Sequence, residues 1–239
     1  MKFTLAPFAI AATCCLGVSA QAQEWKYATT VYLFTAETET SIGDRSATLS
    51  FSDALKNLDM AFMASFGGNN GQWGFLVDYM LTDIGFENST PGPAFSGLEA
   101  SVKTQILTGY LSYRLYDTGT IQTDLLAGAR WFDTDTTLTF LPGAGAGTTV
   151  NDSDNWTDPV IGVRTRFDLN ADWSGTVMAD YGGSSDRETW QLLLTADYAF
   201  NEKWVGRLGY RHIDISNDEG PNNYAFTQSG PVFGITYNF

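Results

Sequence analysis

From Asp59 to Phe239, polar and apolar residues alternate with a period of two in blocks of about ten, separated by short turn-forming clusters. Successive side chains of a strand point to opposite faces, so this pattern restricts the chain to a sheet whose two faces meet different surroundings. In the block at Asp59–Gly67, Met60, Phe62, Ala64 and Phe66 share one face. After Asn69-Asn70-Gly71, the next block sets Trp73, Phe75, Val77, Tyr79 and Leu81 opposite Asp78. Two alternating runs joined by Asn-Gly predict a hairpin.

The pattern recurs downstream. Leu107, Gly109, Leu111, Tyr113 and Leu115 oppose Thr108, Tyr110, Ser112 and Arg114, and Leu125, Ala127, Ala129 and Trp131 oppose Asp124, Gly128 and Arg130. Ile161, Val163 and Phe167 oppose Arg164, Arg166 and Asp168, and Val177, Ala179 and Tyr181 oppose Thr176 and Asp180. Trp190, Leu192, Leu194 and Ala196 oppose Gln191, Thr195 and Asp197, and Trp204, Leu208 and Tyr210 oppose Arg207 and Arg211. With a first strand near Trp25–Thr35 and a last near Val232–Phe239, the count is ten, with eight and twelve as the neighbouring readings. The connections alternate between tight turns and the long segments Thr38–Leu58, Glu87–Ser101 and Asp133–Trp156, read here as loops. Short inner turns and longer external loops characterise outer-membrane barrels.

The sign of the alternation selects the surroundings. A soluble barrel turns its polar face outward, whereas six of the eight arginines here share the face opposite the large apolar residues. No stretch after residue 22 approaches the ~20 apolar residues of a membrane helix, so a membrane-spanning chain of this kind must close into a barrel. The rings Trp73, Trp131, Trp173, Tyr198, Phe200 and Trp204 fall at block ends, as belts at the two membrane interfaces require.

The N-terminal segment reads as a signal peptide. Lys2 precedes an apolar run from Phe3 to Val18, and Ser19-Ala20-Gln21-Ala22 supplies a small-x-small cleavage pattern, which gives a signal peptide at 1–22 and one barrel at 23–239. Cys14 and Cys15 both lie in the removed part, so the exported chain carries no thiol into an oxidising compartment. Removal of Lys2 lowers the formal charge from −14 to −15, against 27 acidic residues, which excludes a nucleic-acid partner. The expected partners are outer-membrane lipid, lipopolysaccharide and the barrel-assembly machinery. The sequence does not set the oligomeric state.

The chain ends on Phe239, with Tyr237, Ile235 and Phe233 at alternate positions behind it. This pattern resembles the terminal signature that assembly machinery reads by pairing a strand with its own sheet edge, so these four residues are the candidate assembly signal. Ser50–Asp59, Gly128-Ala129-Arg130-Trp131, Asp158–Gly162, Ala179–Gly183, Thr189-Trp190-Gln191, Gly209-Tyr210-Arg211 and Gly230-Pro231 extend the likeness. Through them the chain resembles a family of uncharacterised bacterial outer-membrane proteins, loosely grouped with OmpA-like and opacity-type, porin-like barrels. The resemblance implies an all-β antiparallel transmembrane barrel in the outer membrane of a Gram-negative envelope. It carries no reaction with it. In the first strand, Tyr32-Leu33-Phe34 stands where the family has Tyr-Leu-Trp.

The inward face supplies the candidate site: Asp78, Arg114, Asp124, Arg130, Arg164, Arg166, Asp180, Asp197, Arg207 and Arg211. Charge in a confined lumen must be paired, so the set reads as a structural network or, alternatively, as the lining of a narrow small-solute pore. Ten strands lie nearer the ~8 that side chains fill than the 16–18 that leave a channel. Ser52–Leu58 reads as a short helix capped by Ser52 at the barrel mouth. The one histidine, His212, lies close in sequence to Asp214 and Ser216 and offers a lipid-modifying enzyme as the alternative. A base needs its nucleophile and an orienting group in reach, and sequence proximity does not supply that, so the expectation is no enzyme and no cofactor. Asp152–Asn155 and Asn217–Glu219 lack the spacing and glycine of a calcium loop, so no metal is expected.

Overall fold

The computed structural model describes residues 24–42, 45–49, 52, 56–88, 94–218 and 223–239. The signal-peptide segment 1–22 lies outside them, as does most of Ser52–Leu58. Among these residues the strands are β1 (Lys26–Phe34), β2 (Glu37–Ile42), β3 (Arg45–Leu49), β4 (Leu58–Asn69), β5 (Trp73–Asn88) and β6 (Phe95–Asp117). They continue with β7 (Ile121–Pro142), β8 (Thr148–Asp168), β9 (Trp173–Ser184), β10 (Arg187–Ala199), β11 (Trp204–Asn217) and β12 (Tyr224–Asn238). Leu58, read above as the end of a helix, begins β4.

β1 pairs antiparallel with β4, each strand from β4 to β12 pairs with the next, and β12 returns to β1. Ten strands therefore close a barrel, and no edge is left around its circumference to expose unpaired backbone. The closing seam runs from Ala28↔Asn238 to Phe34↔Val232. Beyond it, β2 continues along the upper part of β12, from Glu37↔Ser229 to Ile42↔Tyr224, and β3 folds back on β2. The β1–β4 ladder stops at Val31↔Ala64, and above it the Phe34 N–H turns to Met63 Sδ at 3.2 Å.

All three segments read above as long loops carry strand, and Thr38–Leu58 holds β3 and most of β2. Glu87–Ser101 contains the start of β6, and Asp133–Trp156 is a hairpin whose ladder runs unbroken from Asp133↔Asn155 to Phe140↔Thr148. Beyond the buried Thr134 and Trp156 both of its faces meet water, so no apolar period marks it. Its strand character comes from Thr134, Thr136, Thr137, Thr139, Thr148, Thr149 and Val150, whose branched side chains suit a pleated sheet. A membrane strand needs ~9–11 residues, so about half of β6, β7 and β8 stands clear of the membrane as a wall at one end.

The faces sort as the alternation requires. Large apolar side chains lie bare on the outside, with Val31 58% and Leu208 56% exposed, while Arg130 inside is 1% exposed. An apolar surface of this extent is stable only against hydrocarbon. Its lower border is a chain of ring contacts at the tight-turn end: Trp25–Tyr27–Phe66–Phe75, Trp73–Tyr113, Trp173–Tyr198–Phe200 and Trp204–Tyr237–Phe239. Of the six rings singled out in the sequence, five lie at this end and Trp131 points outward nearer the other.

Three of the tight turns share one device. In Asn70–Trp73, Asn170–Trp173 and Asn201–Trp204, the asparagine Oδ1 accepts the N–H groups of residues two and three positions on, at 2.8–3.1 Å. The side chain thereby replaces a turn of backbone and sets the tryptophan at the first position of the next strand. The fourth turn uses Asp117, whose Oδ1 accepts the Gly119 N–H at 2.8 Å, with Gly119 at φ +83°. That bond, with the Arg114 guanidinium second, holds the Asp117 carboxyl below the usual carboxylate range.

Candidate functional site

Because side chains alternate strictly along each strand, the closed ladders deliver the inward residues of all ten strands to one lumen. These residues form layers. Nearest the tight-turn end, Asp124 on β7 takes Arg114 from β6 and Arg164 from β8, its two register neighbours, the latter at 2.8 Å. Arg114 also reaches Asp117 at 2.6 Å. On the other side of the lumen, Arg207 Nε donates to Asp197 at 2.6 Å, across the β10–β11 ladder.

The middle layer crosses the lumen. Arg130 on β7 places Nη2 2.9 Å from Asp180 on β9, and its other N–H groups reach Thr108, Thr189 and the Tyr110 hydroxyl. Tyr110 donates to Asp180 at 2.6 Å and accepts from Gln191 at 2.7 Å. The Gln191 Oε1 accepts from Arg211 Nε at 3.0 Å, and Arg211 Nη1 reaches Asp78 at 2.9 Å and the Tyr32 hydroxyl at 3.0 Å. Tyr32 closes the chain by donating to Asp78 at 2.7 Å. One polar sequence therefore links β1, β5, β11, β10, β6, β9 and β7. Each of its charges has an opposite partner, which is the condition for keeping charge in a dry interior.

Above this layer the lumen is apolar. Tyr32, Phe34, Met63, Met80, Ile106, Phe132, Trp156, Ile213, Ile215 and Phe226 belong to one buried cluster. Ile213 has no exposed surface, and Leu126 in the adjoining cluster has none either. These side chains are shut off from water and pack against one another across the lumen.

Of the ten charged residues named from the sequence, nine join these layers. Arg166 does not: it lies at the open tight-turn end, 52% exposed, and pairs with Asp168 at 3.4 Å. Asp158 and Arg187 pair at 3.0 Å beside the apolar layer, and Asp158 precedes the alternating block that begins at Ile161, so the period of two does not mark it. Tyr110, Thr108 and Gln191 fall on the inward face by the alternation, which assigns them no role. Their neutrality concealed that they complete the bonding of Arg130, Asp180 and Arg211.

His212 lies on the opposite, outward face. Its Nδ1 is 2.6 Å from Ser229 Oγ across the β11–β12 ladder, and its ring packs on Trp190 with centroids 4.4 Å apart. Nε2 is buried without a hydrogen-bond partner, and Asp214 accepts from Thr227 at 2.6 Å rather than meeting the ring. No carboxylate orients the imidazole among the described residues. No group of three His, Cys, Asp or Glu side chains among them could hold a metal ion. Of the C-terminal set, Phe233, Ile235 and Tyr237 lie in β12, and the Phe239 N–H donates to Tyr27 O at 3.0 Å.

A closed ten-stranded antiparallel β-barrel with an apolar exterior is the architecture of a membrane-spanning barrel. No protein-family model matches the chain. No curated protein matches it in sequence. Among solved structures, it is similar to Ail, the attachment invasion locus protein of Yersinia pestis, at 12% identity over 90% of this chain and 98% of that one, with a TM-score of 0.39. It is also similar to Neisserial surface protein A, at 14% identity over 90% and 97% of the two chains and a TM-score of 0.39. A third is the translocator domain of the autotransporter NalP from Neisseria meningitidis, at 11% identity over 91% and 89% and a TM-score of 0.43.

Proposed function

We propose that the chain is a resident barrel of the bacterial outer membrane, closed to solutes through its lumen, that works as a surface-interaction protein through the wall formed by β6, β7 and β8. The observation that carries the reading is the pairing of a filled lumen with strands of 23, 22 and 21 residues, far longer than crossing the membrane requires. A pore spends its inner face on solute. Here that face is occupied by ion pairs and an apolar core, and the solvent-exposed groups that a partner meets stand on the wall. The wall is acidic, with Glu99, Asp133, Asp135, Asp152 and Asp154 on it, so it favours a basic partner surface. With Asp214 engaged elsewhere, the His212–Ser229 pair lacks the third group of a hydrolytic site, which supports a non-enzymatic reading.

Two experiments test this. Gly145→Cys at the wall tip should react with a membrane-impermeant maleimide on intact cells, and Thr118→Cys only after the outer membrane is permeabilised. The reverse order would overturn the orientation. The intact protein should confer attachment to protein-coated surfaces on expressing cells, and replacing residues 134–154 by a short turn should leave a barrel that inserts but abolish that attachment. Unchanged attachment would overturn the role of the wall.

A further inference from the structure

The outward wall of the barrel carries a groove of about 480 Å³ where β9, β10, β11, β12 and β1 lie side by side. Its cause is local. Gly206 sits in register between Tyr198 and Ile235, and the exposed Ala196 sits one row above, so two small residues are set among bulky ones. Phe200 leans over the glycine, so that a Cβ there would stand 2.9 Å from its ring. Tyr198 and Phe200 form one wall of the groove, and Ile235 and Phe233 form the other. The volume is that of a small-ligand cleft, ~300–1,000 Å³, and the groove is open along its length toward the lipid. The lining is almost wholly apolar, and the whole groove lies on the lipid-facing side.

The lining of the groove ends at Phe200, and the turn Asn201–Trp204 follows directly below it, where the chemistry changes. Glu202 and Lys203 are both exposed there, and Lys203 Nζ stands 6.0 Å from the centre of the Tyr237 ring. Tyr237 in turn packs against Trp204 at 4.9 Å, within the ring border that marks the headgroup level. Lys26, the other lysine at this end, falls on the inward register of β1. An apolar slot with a cation and an anion in the turn just below it is complementary to a zwitterionic phospholipid. Its acyl chain would lie in the slot, its phosphate at Lys203 and its amine at Glu202.

We propose that this groove is a specific binding site for one aminophospholipid of the inner leaflet. The inference rests on the membrane residence proposed above and adds a site, a leaflet and a headgroup chemistry to it. Ring walls on two sides give the chain more contact than a flat barrel face offers, so this lipid outlasts its neighbours when the protein is extracted.

The test is native mass spectrometry of the full-length protein extracted in mild detergent and exchanged into micelles doped with phosphatidylethanolamine. Wild type should retain one phospholipid. Ala196→Phe fills the floor from an exposed position and should lower retention by roughly tenfold, the loss of about 1.4 kcal/mol of affinity. Lys203→Ala should weaken retention of phosphatidylethanolamine. Ala127→Phe, the same change on an exposed outward position of β7, should retain lipid as wild type does. Equal retention in all four proteins, or none in wild type, would overturn the site. Each protein is first checked for a heat-dependent gel shift. A barrel that shifts but holds no lipid refutes the groove alone, whereas a chain that never shifts refutes membrane residence itself.

Discussion

Replacing Arg130 by methionine removes the guanidinium of a pair whose side chains are 1% and 0% exposed, while keeping the apolar stem. Asp180 is left in the lumen with Tyr110 and Gln191 still donating to it, and Thr108 and Thr189 lose their arginine. Breaking a buried pair by removing one partner costs about 3–5 kcal/mol, and the two surviving donors put this case near the lower end, about 3 kcal/mol. Arg164→Met is the comparison. Arg164 is a quarter exposed, and its partner Asp124 keeps Arg114, so the loss there should be about 0–1 kcal/mol. The assay is urea unfolding of the refolded barrel in micelles, followed by tryptophan fluorescence. With a denaturant slope of about 1–3 kcal/mol per molar, the Arg130 variant should lose roughly 1–3 M in midpoint and the Arg164 variant a fraction of that. The double variant Arg130→Met with Asp180→Leu should recover much of the loss, because an apolar pair of similar volume needs no counter-charge. If Arg130→Met costs no more than Arg164→Met, the lumen is wet at that level and the filled-layer reasoning fails.

Val163 points outward beside Arg164, so Val163→Arg should impair insertion by about 2–4 kcal/mol if it lies near the midplane, while Arg164→Leu should still insert. A heat-modifiability gel reads both, and the opposite pattern would mean that β8 is registered the other way round. Deleting Phe239 removes its N–H bond to Tyr27 and its ring contact with Tyr237, and should slow assembly and raise periplasmic degradation. Normal surface levels of the shortened chain would refute its role as an assembly signal. His212→Ala and Ser229→Ala should leave the envelope lipid profile unchanged, and a lost or new lipid species in either strain would restore the enzymatic alternative.

How far the molecule is legible in its sequence depends on which side of the membrane boundary a residue lies. Within the bilayer, hydrocarbon outside and a polar lumen inside enforce the period of two, and Leu107–Leu115 against Thr108–Arg114 already carries the register that the ladder shows. Above it, Asp135–Phe140 has water on both faces, and without an apolar period it reads as loop. Facing direction was legible at Arg130, but its partner was not. Asp180 lies two strands away on β9, and only the curvature of the closed barrel brings the pair together. The repeated Asn-x-x-Trp at residues 70, 170 and 201 was visible in the sequence. Its meaning depends on the side-chain bonds that replace a backbone turn. Arg166 shows the converse limit: the right face, one turn from the end, puts a charge in water rather than in the network.

The central claim is a barrel whose lumen is filled, and conductance across a planar bilayer addresses it most directly. Purified full-length protein, shown to be inserted by its heat-dependent gel shift, should give no stable current steps at either polarity. Arg130→Met/Arg211→Met, which thins the crossing layer, should give at most brief, irregular openings. Reproducible ohmic steps from the wild-type protein would contradict the account, because ions would then be passing Leu126, Arg130 and Ile213, whose side chains are at most 1% exposed.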